Sequence, residues 1–514
     1  LARKAQLGKA IISTASVQAP TGGLNARDAL ADMPESDASI LENWFPKPSS
    51  VDIRNGSENY ATGLPGWVET LAFYHSPSAE NLFAASGSGI YDVTAGGAVG
   101  AASVTGLASV RFQHVNITTP GGSYLYMVNG VDKPQLYTGS AWVAVDGAST
   151  PAITGVTTTN LVHVNLFKNR LWFVEKDTFK IWYLPVDSVG GAANSINFGS
   201  LFKLGGSLNC MVNWTINNAN GIDDYAAFIS TEGEIALYKG TDPSSSTTWA
   251  LVGMFRIGRP VGRRCYAKVN SDVVIICADG AYPISQAVLV DRQSDQSISY
   301  KIQNLINTDV QNYSSHFGWQ PILYPIGNKL IINVPKEENS IQYQYVMNTI
   351  NGSWAKFTGW NAACWEIYND MIMYGGDQVV VKADTGTDDN GNAINTDVKT
   401  AFTYFKQRGR IKRVTMARAI FYATAIFYPS IELNIDYEDR IPTAPQNFSS
   451  STTSLWDVSA WDVTPWGSAY QILKSWQTVN GVGTAISLRI KSSTIGIAAQ
   501  WQAVDYAYET GGVF

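Results

Sequence analysis

Four histidines (His75, His114, His163, His316) and four cysteines (Cys210, Cys265, Cys277, Cys364) are the side chains of this 514-residue chain best suited to metal or nucleophile chemistry. The histidines share no metal-ligand spacing, and no two cysteines form the C-x-x-C pair of a zinc or redox site. G-x-S-x-G, P-loop and H-E-x-x-H motifs are missing from the sequence. Serine hydrolysis, P-loop phosphate binding and zincin proteolysis therefore have no sequence support. No catalytic, cofactor-binding or metal-binding residue is expected. The cysteines read as buried structural thiols of a protein assembled in a reducing compartment.

Four other stretches carry polar or aromatic groups. TDPSSSTTW (241–249) approaches the S-x-D-x-G-x-T-W box of sialidase-type propellers, but it lacks the glycine and sets Asp242 seven residues before Trp249 instead of five. It reads as a polar loop that runs into a strand. In DTGTDDNGNAINTD (384–397), taking Gly391 as the sixth position of a calcium loop puts Asp388 and Asn390 at positions three and five. Gly386 and Asp397 then stand where Asp and Glu are needed, so a polar interdomain loop is expected. WDVSAWDVTPW (456–466) holds two Trp-Asp pairs only five residues apart, too close for the one pair per ~40-residue blade of WD40 repeats. Packing on a sheet is its expected role, with binding of a partner protein or glycan as the alternative. The basic run FKQRGRIKR (405–413), read as a strand, places Lys406, Arg408, Arg410 and Lys412 on one face, each about 6.6 Å from the next. Phe405, Gln407, Ile411 and Arg413 lie on the other face. Four like charges in a row call for something negative opposite them. The candidates, in order, are acidic residues of a neighbouring subunit or partner protein, solvent counter-ions, and DNA phosphates.

The elements that would position these groups are β-strands. Seven times between residues 81 and 387 the chain repeats a short apolar run, a Gly- or Asp-containing turn, and an aromatic or β-branched run. Anchored on Leu82, Leu125, Leu171, Ala227, Val274, Leu330 and Met371, the units step by 43, 46, 56, 47, 56 and 41 residues. Antiparallel units of roughly 40–50 residues are the rhythm of β-propeller blades, which cannot bury their apolar faces singly and so pack around an axis. Within the repeats, SDQSISYKIQNLINTDVQNYS (294–314) spaces Ile298, Ile302, Leu305, Ile306 and Val310 as one apolar stripe, which predicts an inserted amphipathic helix. PESDASILENWFP, near the N-terminus, predicts a short helix that Ser36 or Asp37 caps and Pro46 stops, with Ala38, Leu41 and Trp44 near one face. Beyond residue 397, ELNIDYED and AISLRIKS alternate strictly. Leu433, Ile435 and Tyr437 share one face of the first, and Ile486, Leu488 and Ile490 one face of the second. The expected fold is all-β. It comprises a β-propeller of six or seven blades over 61–397 with the helical insertion at 294–314, an antiparallel β-sandwich platform over 398–514, and an N-terminal segment 1–60 that packs with the platform.

Charged residues are 15% of the chain, against roughly 25% in ordinary soluble proteins, while 16 Trp and 25 Tyr are present. A surface short of charge and rich in aromatic and hydroxyl groups suits extensive subunit contacts. The net charge of −6 argues against holding nucleic acid by phosphate neutralisation, and it leaves open a wall along which DNA slides without sticking. Lys9 interrupts the only N-terminal stretch that could read as a signal peptide. No apolar run has the length to cross a bilayer.

Both ends of the chain resemble one family. APTGGLNARDALADMPESDASILENWFPKPSSVDIRNG (19–56) is similar to the opening of the tail nozzle proteins (tail tubular protein B) of short-tailed bacteriophages. The matching residues are Gly23, Leu24, Asn25, Arg27, Asp28, Leu41, Asn43, Phe45, Pro46, Val51, Arg54 and Gly56. Residues 476–514 resemble the terminal strands of related phage and prophage proteins. The resemblance implies a structural virion protein, not an enzyme. It implies a homohexameric ring below the portal and adaptor, a central channel through which DNA passes transiently during genome ejection, and attachment of tail fibre or spike proteins. It further implies assembly in the host bacterial cytoplasm and residence in the virion tail, without cofactors or stable membrane insertion. The competing expectation is a carbohydrate-binding or carbohydrate-degrading β-propeller such as a tail spike.

Overall fold

The computed structural model describes residues 12–218, 221–289, 297–449 and 470–513. They are almost entirely β, and the chain divides into two compact units. One comprises residues 58–344 and 360–383, and the other residues 1–57, 345–359 and 384–514.

In the first unit, antiparallel meanders follow one another along the chain, and each of the seven repeat anchors falls on the second strand of its own meander. These second strands are Glu80–Ser86, Gly122–Val128, Arg170–Glu175, Gly221–Ser230, Asp272–Cys277, Lys329–Pro335 and Met371–Gly375. Their apolar runs are continuous because both faces are buried. In Gly122–Val128, Leu125 and Met127 pack into a cluster with Phe83 and Ile90 of the preceding meander. Tyr126 and Val128 pack into a second cluster with Val164 and Phe173 of the following one. Comparable clusters join the third meander to the fourth, the fourth to the fifth, and the last to the first. The core is thus divided among the gaps between neighbouring sheets.

The first strands of successive meanders meet edge to edge, and side-chain amides stitch them. Asn116 Nδ2 donates to Phe73 O (2.7 Å), Asn165 Nδ2 to Met211 O (2.6 Å), and Gln320 Nε2 to Trp365 O (2.9 Å). Sheets that radiate from converging first strands form a β-propeller. The long strand Ser57–His75 pairs with Asp377–Ala383 on one side and Glu80–Ser86 on the other, so a single strand joins the last meander to the first.

The amphipathic stripe forms a 3₁₀ turn, Tyr300–Ile302, that continues as the helix Gln303–Tyr313; residues 294–296 of the expected helix lie outside the described residues. Ile302, Ile306 and Val310 are buried, and Leu305 is half-buried. A second short helix, Ile284–Leu289, directly follows the strand Gly280–Pro283 of the fifth meander.

The second unit is built from two sheets. Arg410–Ala423 and Ala499–Val513 form the spine of one, which also takes in Ile12–Gln18, Trp44–Pro46, Val51–Ile53, Gln471–Leu473 and Gln477–Gly483. In the other, Trp354–Thr358, Asp37–Glu42, Ile394–Thr400, Ile486–Ile495 and Ser430–Ile435 lie side by side. Trp44 stacks on Phe421 and lies tilted against Trp501, with ring centroids 6.1 and 6.0 Å away. The expected helix at 36–46 is instead two strands, Asp37–Glu42 and Trp44–Pro46, broken by Asn43 in the left-handed region at φ 58°. Pairing of Ala38–Glu42 with Asp397–Thr400 satisfies the backbone there, and this long-range ladder outweighs the local helical spacing. The polar face of the strand Ile486–Ile495 is buried as well: Ser487 bonds Thr400 O (2.7 Å) and Arg489 bonds Asp397 (2.8 and 3.0 Å). Tyr437 does not continue the face of Leu433 and Ile435. Asp436 and Tyr437 both take positive φ (47° and 71°) and turn the chain away.

Candidate functional site

The FKQRGRIKR run does not form the continuous strand expected of it. Residues 404–409 are a turn in which Phe405 and Lys406 adopt φ 47° and 59°, and the strand begins only at Arg410. Lys406, Arg408, Arg410 and Lys412 consequently share no face. Lys412 is fully buried and its Nζ donates to the carbonyls of Gln407 (2.7 Å), Arg410 (3.0 Å) and Thr484 (2.9 Å), closing the turn onto the sheet. Burial lowers its pKa, and the charge of Asp436 opposes that shift. Arg408 lies over the Tyr404 ring at 4.9 Å and 3.6 Å from Asp32, and it is exposed, as are Lys406, Arg410 and Arg413. The outcome is a basic surface turn anchored by one internal lysine.

Apart from the half-buried Arg27 and Asp28, the residues of the N-terminal motif occupy the interior of the same unit, and the motif forms much of its hydrogen-bond network. Gly23 has φ +85°, and a Cβ there would lie 2.7 Å from Trp354 O. Asn25 Nδ2 donates to Asp28 (2.9 Å) and Asp37 (2.8 Å), while its Oδ1 accepts from the N–H groups of Arg27 and Asp28 (both 3.1 Å). Asn43 Nδ2 donates to Thr358 Oγ1 (2.9 Å) and Asn395 O (2.7 Å), and its Oδ1 accepts from Arg54 Nε (2.8 Å) and Thr358 N (2.8 Å). Arg54 completes the chain of contacts. Its side chain is 1% exposed and forms a bidentate pair with Asp389 (2.9 and 2.5 Å) while also donating to Thr358 O (2.8 Å). A Cβ on Gly56 would come within 1.7 Å of Asp388 O, which accounts for the glycine two residues after the arginine.

This network also explains the acidic loop at 384–397. Asp389 is the counter-ion of Arg54, and Asp388 accepts from Gly391 N (2.6 Å). Its carboxylates organise the backbone. Among the described residues no group of three or more His, Cys, Asp or Glu is placed to hold a metal ion. The histidines are dispersed. His75 bonds Glu80 (2.9 Å), His114 Nε2 bonds Glu366 (3.0 Å), His316 Nδ1 bonds Pro335 O (3.0 Å), and buried His163 faces Met211 O through Nε2 (3.1 Å). Burial pulls the His163 pKa down to about 4. All four cysteines are buried as free thiols, with Cys210 and Cys265 Sγ 3.9 Å apart. Burial pushes Cys364 up to about 12, and the hydrogen bond with Cys265 raises Cys210; both are poor nucleophiles in that state. In TDPSSSTTW, Asp242 caps a turn through Ser244, and Trp249 opens a strand and stacks on Tyr238 (5.3 Å). The tryptophan-rich stretch 456–466 lies outside the described residues. No described helix is long and apolar enough to cross a membrane.

No protein-family model and no curated protein matches the chain. Among solved structures, the chain is similar to BBS1N in complex with ARL6DN, at a TM-score of 0.38 and 8% identity over 65% of this chain and 99% of that one. It is also similar to YCF48 from Cyanidioschyzon merolae, at a TM-score of 0.36 and 11% identity over 64% of this chain and 98% of that one. A third similarity is to an exo-β-1,3-galactanase from Phanerochaete chrysosporium, at 0.29 and 11% over 76% of this chain and 95% of that one.

Proposed function

We propose that this chain is a structural tail protein of a short-tailed bacteriophage, a nozzle subunit that assembles into a ring around a channel for genome ejection. The observation that supports the reading is the place of the N-terminal motif. Gly23, Asn25, Asp28, Asn43, Arg54 and Gly56, quoted above for the resemblance, are the residues whose hydrogen bonds and close approaches knit the second unit together. A motif with that role encodes an architecture, not a reaction.

In this reading the first unit is a closed seven-bladed propeller, its ring fastened by the strand Ser57–His75, and the two-sheet unit is the β-sandwich platform. Six subunits form the homohexamer, stacked on the tail adaptor in the virion tail and carrying fibre or spike proteins, after assembly in the host cytoplasm. The protein acts without catalysis or cofactor. DNA passes through the channel between subunits. The basic turn at Lys406, Arg408 and Arg410 meets acidic residues of a neighbouring subunit or tail protein, in preference to DNA, because a fixed cationic ring would retain the genome.

The test compares particle mass and polysaccharide turnover of the purified protein. Rings of about six subunits that leave bacterial polysaccharides intact support the nozzle. A trimer that shortens or captures them supports the alternative, a tail spike of carbohydrate-binding or carbohydrate-degrading type.

A further inference from the structure

A cavity of about 150 Å³ lies where first strands of the propeller converge, and its lining includes Gln113, His114, Arg264, Tyr266, Gln320 and Trp365. Arg264 is the one Arg or Lys among its lining residues, and no Asp or Glu lines it. The Arg264 Nη2 group donates to Thr70 Oγ1 (2.7 Å) and Phe112 O (2.8 Å), both neutral acceptors, and the guanidinium lies 5.1 Å from the centre of the Phe317 ring. The carboxylates that act on it at longer range are already engaged. Glu69 accepts from Arg111 (2.8 and 3.1 Å) and Asn339 (3.0 Å), and Glu366 pairs with His114 (3.0 Å). Arg111 itself is a like charge that works against Arg264.

Two groups of donors on the wall remain unspent. Arg264 Nε and Nη1 and the Tyr266 hydroxyl make no hydrogen bond to a described residue, and both side chains are half-buried while lining the cavity. The Gln320 amide, by contrast, is used in both directions by Trp365 N (3.1 Å) and O (2.9 Å). A half-buried guanidinium whose direct acceptors are all neutral lacks a counter-charge, and an anion bonded to it supplies one. Charge-assisted bonds from a planar guanidinium suit an oxyanion above all.

We propose that this cavity binds a small oxyanion of the phosphate or carboxylate class, with Arg264 as its counter-charge and the Tyr266 hydroxyl as a second donor. The volume admits a single compact ion and excludes a nucleic-acid duplex or a sugar polymer. The site is internal to one propeller and independent of ring assembly.

Titration calorimetry on the full chain tests this, with sodium phosphate and sodium acetate as probes and sodium chloride at matched ionic strength as the reference. Saturable heat is expected with at least one probe, and which probe gives it separates the phosphate class from the carboxylate class. Arg264→Gln should abolish binding. Because Arg264 also bridges Thr70 and Phe112, Tyr266→Phe is the safer variant: it keeps the ring, removes one donor to an anion, and should weaken binding about tenfold. Absence of saturable heat with both probes at millimolar concentration overturns the proposal. So does equal affinity in a folded Tyr266→Phe protein.

Discussion

A buried guanidinium is tolerated only when its charge and its N–H groups are both met, and Arg54 satisfies this through Asp389, Asn43, Asn55 and Thr358. Asp389→Ala would leave that guanidinium without its counter-ion at 1% exposure. The expected loss is about 3–5 kcal/mol, read as a lower urea midpoint for the second unit. A loss below about 1 kcal/mol would mean that the pair is solvated. His163 supplies a prediction in pH. Burial holds its folded pKa near 4, below the 6.5 of an exposed imidazole, so between these values the unfolded chain binds a proton that the folded chain refuses. Stability therefore rises with pH across this window. His163 weakens the fold progressively as pH falls from about 6.5 to 4, by about 3 kcal/mol in all. Denaturation midpoints of His163→Gln, set against the parent chain across that range, should lose this component of the slope; an unchanged slope assigns the pH dependence elsewhere.

At the scale of elements, the repeats were legible because each second strand is buried on both faces and bounded by a turn, which leaves a short apolar run followed by a turn in the sequence. The helix Gln303–Tyr313 was legible from its stripe, and its burial pattern grades the stripe. Ile306 is fully buried while Leu305 is half-buried. Ile306→Asp should thus cost several kcal/mol and leave the protein insoluble, and Leu305→Asp should remain soluble. Equal solubility of the two would show that the helix does not pack by this face. The segment 36–46 was misread because Ala38, Leu41 and Trp44 happen to fit a helical stripe, whereas the ladder that makes it a strand comes from residues 397–400, which a local pattern cannot contain. The basic run was misread for a similar reason. Nothing in its composition announces positive φ at Phe405 and Lys406, since neither is Gly or Asn, and no sequence pattern marks Lys412 as a lysine whose acceptors are three carbonyls. With Lys412 inside, the turn presents Arg408 and Arg410 outward. The double variant Arg408→Glu/Arg410→Glu should fold normally by circular dichroism and fail to form rings. Normal rings with altered DNA ejection would move the turn to the channel wall, and normal rings with normal ejection would make it a solvated surface.

At the scale of the whole molecule, the candidate site was legible only as architecture. The motif spacing from Gly23 to Gly56 marked residues that matter, but their partners, Thr358, Asp389 and Asn395, lie more than 300 residues away and emerge only in the fold. The axial cavity left no trace in the sequence, because Tyr266, His114 and Gln320 come from three separate repeats and become neighbours only when the sheets converge. The two units, each with its own core, give one chain a propeller and a two-sheet body built from both of its ends and a short internal segment. The nozzle reading turns on how copies of this chain associate. Two-dimensional class averages of the purified chain decide it: rings of six subunits around an open centre are expected, and monomers or compact trimers without a central opening would contradict the nozzle reading.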